Sequence, residues 1–199
     1  MRGDPRDSAR LFQAGVRQPK ALMEIPEIET ARLRLRSFTP GDLDELHLVF
    51  GDTDVVKYIS GGKPRTRAET EKGLLRTIEG FRERGFGLWA VEVKDSGRMI
   101  GYCGLIFLDD TSEIEVAYGL AKSHWGKGFA TEAARAGLGY GFERLKLERI
   151  VAVVNPQNLS SRRVLEKLGM RYAKDVHHYD ADLMYYEIDK TDYQTDDAP

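Results

Sequence analysis

The chain runs to 199 residues with 41% hydrophobic and 31% charged side chains, the profile of an ordinary globular protein with room for one full core. A formal net charge of -2 excludes a dedicated nucleic-acid binder, which would be clearly basic. The single cysteine, Cys103, excludes an internal disulfide and a cysteine-rich metal site, and its place in the apolar run 99–108 suits a small buried core residue.

No apolar run approaches the ~20 residues of a membrane span. The first 25 residues carry Arg2, Arg6, Arg10 and Arg17 without the apolar segment of a secretory signal. A cytoplasmic protein with no membrane and no nucleic-acid partner is the expectation. Residues 1–29 read as an N-terminal extension, with Met23 an alternative start, 30–190 as one domain, and 191–199 as an acidic C-terminal tail.

Within the domain, Leu33 and Leu35 alternate with Arg32, Arg34 and Arg36, the period of a half-exposed strand over 31–37 whose arginines form a solvated face. Thr39-Pro40-Gly41-Asp42 turns into a helix with Leu43, Leu46 and Phe50 on its apolar side, and a second helix over 66–84 aligns Leu74, Leu75, Ile78 and Phe81. Strands at 86–94 and 98–108 flank Asp95-Ser96-Gly97, a tight hairpin turn. A third strand, 113–120, leads into a loop holding Gly126 and Gly128. The helix over 128–146 sets Ala130, Ala134, Leu138, Phe142 and Leu145 at helical spacing. Gly137, Gly139 and Gly141 each weaken it by ~1 kcal/mol relative to Ala, and point to close helix-to-sheet approach. Residues 150–154 form a buried strand, and Asn158 opens a helix that Lys167 and Gly169 close with a cationic last turn and a glycine cap. Residues 171–189 make a last pair of strands turning near 180–182. The sum is an α/β domain: a mixed, mostly antiparallel central sheet of about seven strands flanked by about four helices.

The strand-loop-helix junction over 114–132 is the most informative stretch. Such a junction offers successive backbone N–H groups and the positive end of a helix dipole to an anion. Gly126 and Gly128 have no side chains to keep a pyrophosphate away. A dinucleotide fold would need glycine where Thr131 stands and an acidic residue where Asn155 ends the next strand, so that rival fits poorly.

Three blocks in order carry a resemblance: Thr30-Ala-Arg-Leu-Arg-Leu-Arg36, Trp125-Gly-Lys-Gly-Phe-Ala-Thr-Glu-Ala133, and Asn158-Leu-Ser-Ser161 followed by Lys167-Leu-Gly169. Together they resemble the acyl-CoA-binding core of the GCN5-related N-acetyltransferases (GNAT), and most closely the RimJ/RimL-type branch that modifies ribosomal-protein N-termini. The resemblance spans roughly residues 30–190. It implies the GNAT fold, acetyl-CoA as co-substrate without a metal, and direct attack by a primary amine, either a protein N-terminus or a small molecule. Relatives often dimerise, which leaves a homodimer open. Pyrophosphate would lie against the backbone of Trp125, Gly126, Lys127, Gly128, Phe129, Ala130 and Thr131, with Lys127 adding charge. Val116, Ala117 and Tyr118 would offer strand backbone to pantetheine where the third strand splays from its neighbour. Asn158 would cap the following helix, touch pantetheine, or both.

The resemblance also suggests who does the chemistry. Glu115 matches the place of a base beside the cofactor sulfur, against the competing reading of a solvated edge carboxylate. Glu113 shares its strand face by period two but lies further from the Gly loop. An ordinary carboxylate near ~4.3 is a poor base for a Lys amine near ~10.4, whereas an α-amine near ~8 is far easier to neutralise, which favours N-terminal acceptors. Where many members carry a general-acid Tyr this chain has Leu165. The branch places a Ser in that role, here Ser161, whose alternative is membership of the helix start. Leu165 gives some footing to a non-catalytic acyl-CoA-binding module, and succinyl-CoA is an alternative donor. His47, His124, His177 and His178 are too scattered for a metal site, and Trp89, Phe86 and Tyr58 suit core packing over an acceptor groove.

Overall fold

The computed structural model describes residues 26–193, so the readings of 1–25 and 194–199 lie outside the described residues. In chain order the elements are β1 (Ile28–Glu29), β2 (Leu33–Arg36), α1 (Leu43–Phe50), α2 (Thr53–Val56), α3 (Arg67–Arg84), β3 (Leu88–Val93), β4 (Arg98–Phe107), β5 (Ile114–Leu120), α4 (Phe129–Gly139), β6 (Arg149–Val154), α5 (Leu159–Lys167), β7 (Arg171–His178) and β8 (Ala181–Asp189). The strands form one eight-stranded sheet in the order β1-β2-β3-β4-β5-β6-β8-β7. Every neighbouring pair is antiparallel except β5 with β6. This open sheet, of the kind the resemblance implies, has one strand and one helix more than the sequence pattern resolves. The additions are β1, two residues long, and α2, a single turn capped by the Asp52 side chain. Neither is long enough to show a period.

The sheet has two covered faces. On one, Val116 and Leu120 of β5 pack with Cys103, Leu105, Ala134, Leu138 and Phe142, burying α4 against the sheet. On the other, Ala90 and Tyr102 meet Leu43, Leu46, Val49, Phe50 and Leu74 from α1 and α3. Tyr102 stands opposite Gly119, so period two along β5 puts Glu115 on this second face and Tyr118 on the α4 face.

Just past α4, close approach to the sheet shows at Gly141, where a Cβ would lie 2.5 Å from Ile150 Cδ1 and 3.0 Å from Leu105 Cδ1. The regular helix stops at Gly139 and widens into a π-turn over Tyr140–Arg144, so it ends short of the sequence estimate. The final hairpin turns at Tyr179 and Asp180, one residue earlier than the sequence suggested, with positive φ at both (53° and 57°). The arginine face of β2 is ion-paired rather than simply solvated: Arg34 meets Glu29 and Glu92, and Arg36 bridges Asp42 and Glu92.

Candidate active site

β5 is fully paired on its β4 side. The Leu108 N–H donates to the Glu113 carbonyl at 2.9 Å and the Ala121 N–H to the Ile100 carbonyl at 2.8 Å, with an unbroken register between them. Alternation along an antiparallel ladder therefore commits the main chain of Glu115, Ala117 and Gly119 to β4 and turns that of Val116, Tyr118 and Leu120 toward β6. On that side only one register exists, Glu115 with Val151. Past it the two parallel strands part, and Tyr118 presents its N–H and C=O to an open edge. Ala117 lies in the same segment, but its own N–H and C=O face the other way.

The open edge ends at the Gly loop. Trp125, 46% exposed, donates its indole N–H to the Leu120 carbonyl at 2.8 Å and fixes where the loop leaves the strand. Gly126 and Gly128 hold φ of 74° and 82°, left-handed values that suit glycine, and Gly128 sits at the N-cap of α4. The N–H groups of Phe129, Ala130 and Thr131 are then first-turn donors without helical partners. Arg32 braces the loop. Its guanidinium donates to the Lys127 carbonyl at 3.0 Å and to Glu132 at 2.7 Å, and lies 4.6 Å from the Phe129 ring centroid. Glu132 also accepts from the Thr30 hydroxyl and the Arg32 N–H, so the first strand and the first turn of α4 are tied together. A sequence reading that gave Arg32 to solvent missed this brace, because the two motifs lie about a hundred residues apart.

Asn158 is the N-cap of α5: its Oδ1 accepts from the Ser161 N–H at 3.1 Å and the Ser160 hydroxyl at 2.9 Å. Ser161 thereby belongs to the helix start and to the site at once, since its Oγ lies 2.9 Å from the Tyr118 hydroxyl. The Tyr118 hydroxyl also lies 3.2 Å from the Ser161 carbonyl. Burial drives the Tyr118 phenol upward, against the opposing hydrogen bond with Ser161, and keeps it protonated. Leu165 is 1% exposed and is core.

Glu115 is 6% exposed, not a solvated edge group. Its Oε1 accepts from the Tyr179 hydroxyl at 2.8 Å, and no second hydrogen bond to its carboxylate forms among the described residues. Burial raises its pKa to about 7; the Tyr179 bond opposes the rise and the charge of Asp109 adds to it. Glu113, its neighbour on the same face, accepts from the Tyr185 hydroxyl. Tyr179 and Asp109 escaped sequence reasoning altogether. The only signal was a Tyr-Asp turn between two strands, and Tyr179 is 64 residues from the carboxylate it meets.

The remaining candidates take other places. Trp89 is buried and donates to the Pro26 carbonyl, and Phe86 packs edge-on against Phe107. His177 pairs with Asp182, and His178 faces Asp109. Among the described residues no group of three His, Cys, Asp or Glu side chains could hold a metal, and no helix is long and apolar enough to cross a membrane.

The site thus has a carboxylate on one face of the sheet, a hydroxyl pair on the other, and an unpaired strand edge with a glycine loop between them. Comparison with known proteins gives the family. The model of the acetyltransferase (GNAT) domain matches residues 32–171. The chain is 36% identical to the uncharacterized protein YkkB of Bacillus subtilis (strain 168), over 81% of this chain and 94% of that one. It is 34% identical to the uncharacterized N-acetyltransferase p20 of Bacillus licheniformis, over 71% and 80%. A GNAT-family acetyltransferase structure from Bacillus anthracis superposes with a TM-score of 0.73 at 29% identity, covering 83% of this chain and 99% of that one. A structure of RimL, the ribosomal L7/L12 α-N-protein acetyltransferase, in complex with CoA shares the fold at a TM-score of 0.70 and 17% identity, covering 82% and 98%. The chain belongs to the GNAT family and is an N-acetyltransferase.

Proposed function

We propose that the protein transfers an acetyl group from acetyl-CoA to the α-amine of a peptide or protein N-terminus, in the manner of the RimJ/RimL-type branch. The observation that carries this reading is Glu115: a buried carboxylate with a pKa of about 7 at the last rung before β5 and β6 part. A base of that strength is matched to an α-amine near ~8 and poorly matched to a Lys side chain near ~10.4. The Gly loop and the open edge fit an acyl-CoA: Gly126 and Gly128 hold left-handed φ, and a Cβ built at Gly126 would meet nothing within 4 Å. The named RimL neighbour and the three sequence blocks support the branch.

Acetyl-CoA supplies an activated thioester. The N–H groups of residues 126–131 hold its pyrophosphate, with Lys127 as an added charge. The main chain of Tyr118, with Val116 at the last rung, takes the pantetheine amide as a strand would. Glu115 accepts the ammonium proton and orients the neutral amine. The Ser161 hydroxyl, backed by the protonated Tyr118 phenol, donates toward the departing thiolate. Asn158 holds Ser161 in place through its main chain while its side-chain amide N–H groups remain to meet pantetheine.

Release of free CoA thiol, with mass spectrometry of the product, tests the assignment on peptides with free or blocked N-termini, Lys-containing peptides, polyamines and aminoglycosides. Acetylation of free N-termini is the expected result. Modification of small amines alone would contradict the acceptor class. Silence with acetyl-CoA still bound would favour another donor, such as succinyl-CoA, or a binding module.

A further inference from the structure

Three of the four described non-glycine residues with positive φ lie in the two turns that meet beside Glu115: Asp109 at 47°, Tyr179 at 53° and Asp180 at 57°. Positive φ at both residues of a two-residue hairpin turn is its ordinary geometry and aspartate tolerates it, so the cost, roughly 1–2 kcal/mol, falls on Tyr179. The contacts are specific. The Tyr179 N–H donates to Asp109 Oδ2 at 3.0 Å, the Asp109 N–H donates to the Tyr179 hydroxyl at 3.0 Å, and that hydroxyl donates to Glu115 Oε1 at 2.8 Å in preference to the Phe107 carbonyl at 3.5 Å. The tip of the β7–β8 hairpin is latched to the β4–β5 connection, with the Tyr179 hydroxyl on the carboxylate.

We propose that Tyr179 is the positioning residue of the acceptor side: its hydroxyl holds Oε1 of Glu115, so that Oε2 is the atom that meets the incoming amine. This rests on the reading of Glu115 as the base. The Asp109 N–H occupies a lone pair of the phenol oxygen, and the shorter contact, 2.8 Å to Glu115 against 3.5 Å to the Phe107 carbonyl, directs the phenol proton to the carboxylate. Other groups facing Glu115 are Asp109 itself, with His178 beside it, Glu113 bonded by Tyr185, and Tyr102 across the ladder.

A titration of Glu115 by carboxyl-carbon NMR on labelled protein, assigned with Glu115→Gln, tests the latch without needing an acceptor. Tyr179→Phe keeps the ring and removes the donor. Its Glu115 midpoint should rise by about one pH unit, the scale of a hydrogen bond to a charged group. Asp109→Asn keeps an acceptor for the Tyr179 N–H, removes a like charge, and should lower the midpoint. The acid limb of kcat/KM should move the same way in each variant, with CoA affinity unchanged. A midpoint that stays put or falls in Tyr179→Phe would overturn the proposal, and a loosened hairpin would also push it down by wetting the site. Should Glu115→Gln keep full activity, the base reading fails first and the latch loses its catalytic meaning. Should Glu115→Gln lose activity while Tyr179→Phe moves nothing, only the latch fails.

Discussion

The carboxylate proposed as the base stands where ionising it is expensive. Glu115 keeps its proton to about 7 in the folded chain against an ordinary 4.5, so the folded state binds the extra proton between those values. The stabilisation it gives is complete below the unfolded value and is lost as pH rises through about 7. The rise corresponds to ~3 kcal/mol at most. Glu115→Gln can still accept from Tyr179 and carries no charge. It should therefore raise stability by up to ~3 kcal/mol at pH 8 and by little at pH 5, read by urea denaturation, while kcat falls by ~100-fold or more. A variant destabilised at pH 8 would mean that the carboxylate is held by charges not seen around it.

At the scale of elements, function lives at ends and edges. Asn158→Ala removes the cap of α5 and should cost ~1 kcal/mol of stability. It should also lower kcat, because Ser161 loses the bond that holds its main chain. Ser161→Ala should leave the fold and CoA binding unchanged and slow turnover, and Tyr118→Phe should slow it similarly if the hydroxyls act as a pair. A double variant no worse than either single one, in a kinetic cycle, is the expected signature. Arg32→Ala should weaken CoA affinity by about tenfold, or ~1.4 kcal/mol, through a slack Gly loop. Calorimetric binding of CoA would read it, and unchanged affinity would show that the loop holds its shape without the brace. These features divide by how far they reach along the chain. The glycines of the loop, the Asn158 cap and the alternation of β5 are local, and the sequence shows them directly. The Arg32 brace and the Tyr118–Ser161 pair join segments about a hundred and 43 residues apart, and no local pattern announces such contacts. β1 and α2 were invisible for the opposite reason, being too short to carry a period.

For the molecule as a whole, the break between β5 and β6 organises everything else. With only the Glu115–Val151 rung joining them, the sheet opens between a buried carboxylate on one face and a hydroxyl pair on the other. β8 inserted beside β6 carries the last hairpin across to the β4–β5 connection, so the closing contact on Glu115 comes from the far end of the chain. The succession of strands along the chain and the Gly loop were readable from alternation and motif, while the sheet order was not, and the candidacy of Glu115 came from the family resemblance. That Glu115 is sealed and latched was not readable, because burial depends on where a hairpin 64 residues away comes to rest. Once an acceptor is known, the pH dependence of kcat/KM in the wild type and in Glu115→Gln tests the central claim most directly. The wild-type rate should fall as pH drops through about 7, and the variant should be slow with only the limb of the acceptor amine, at about 8, remaining. A variant that keeps both the rate and the limb at about 7 would show that another group, not Glu115, handles the amine proton.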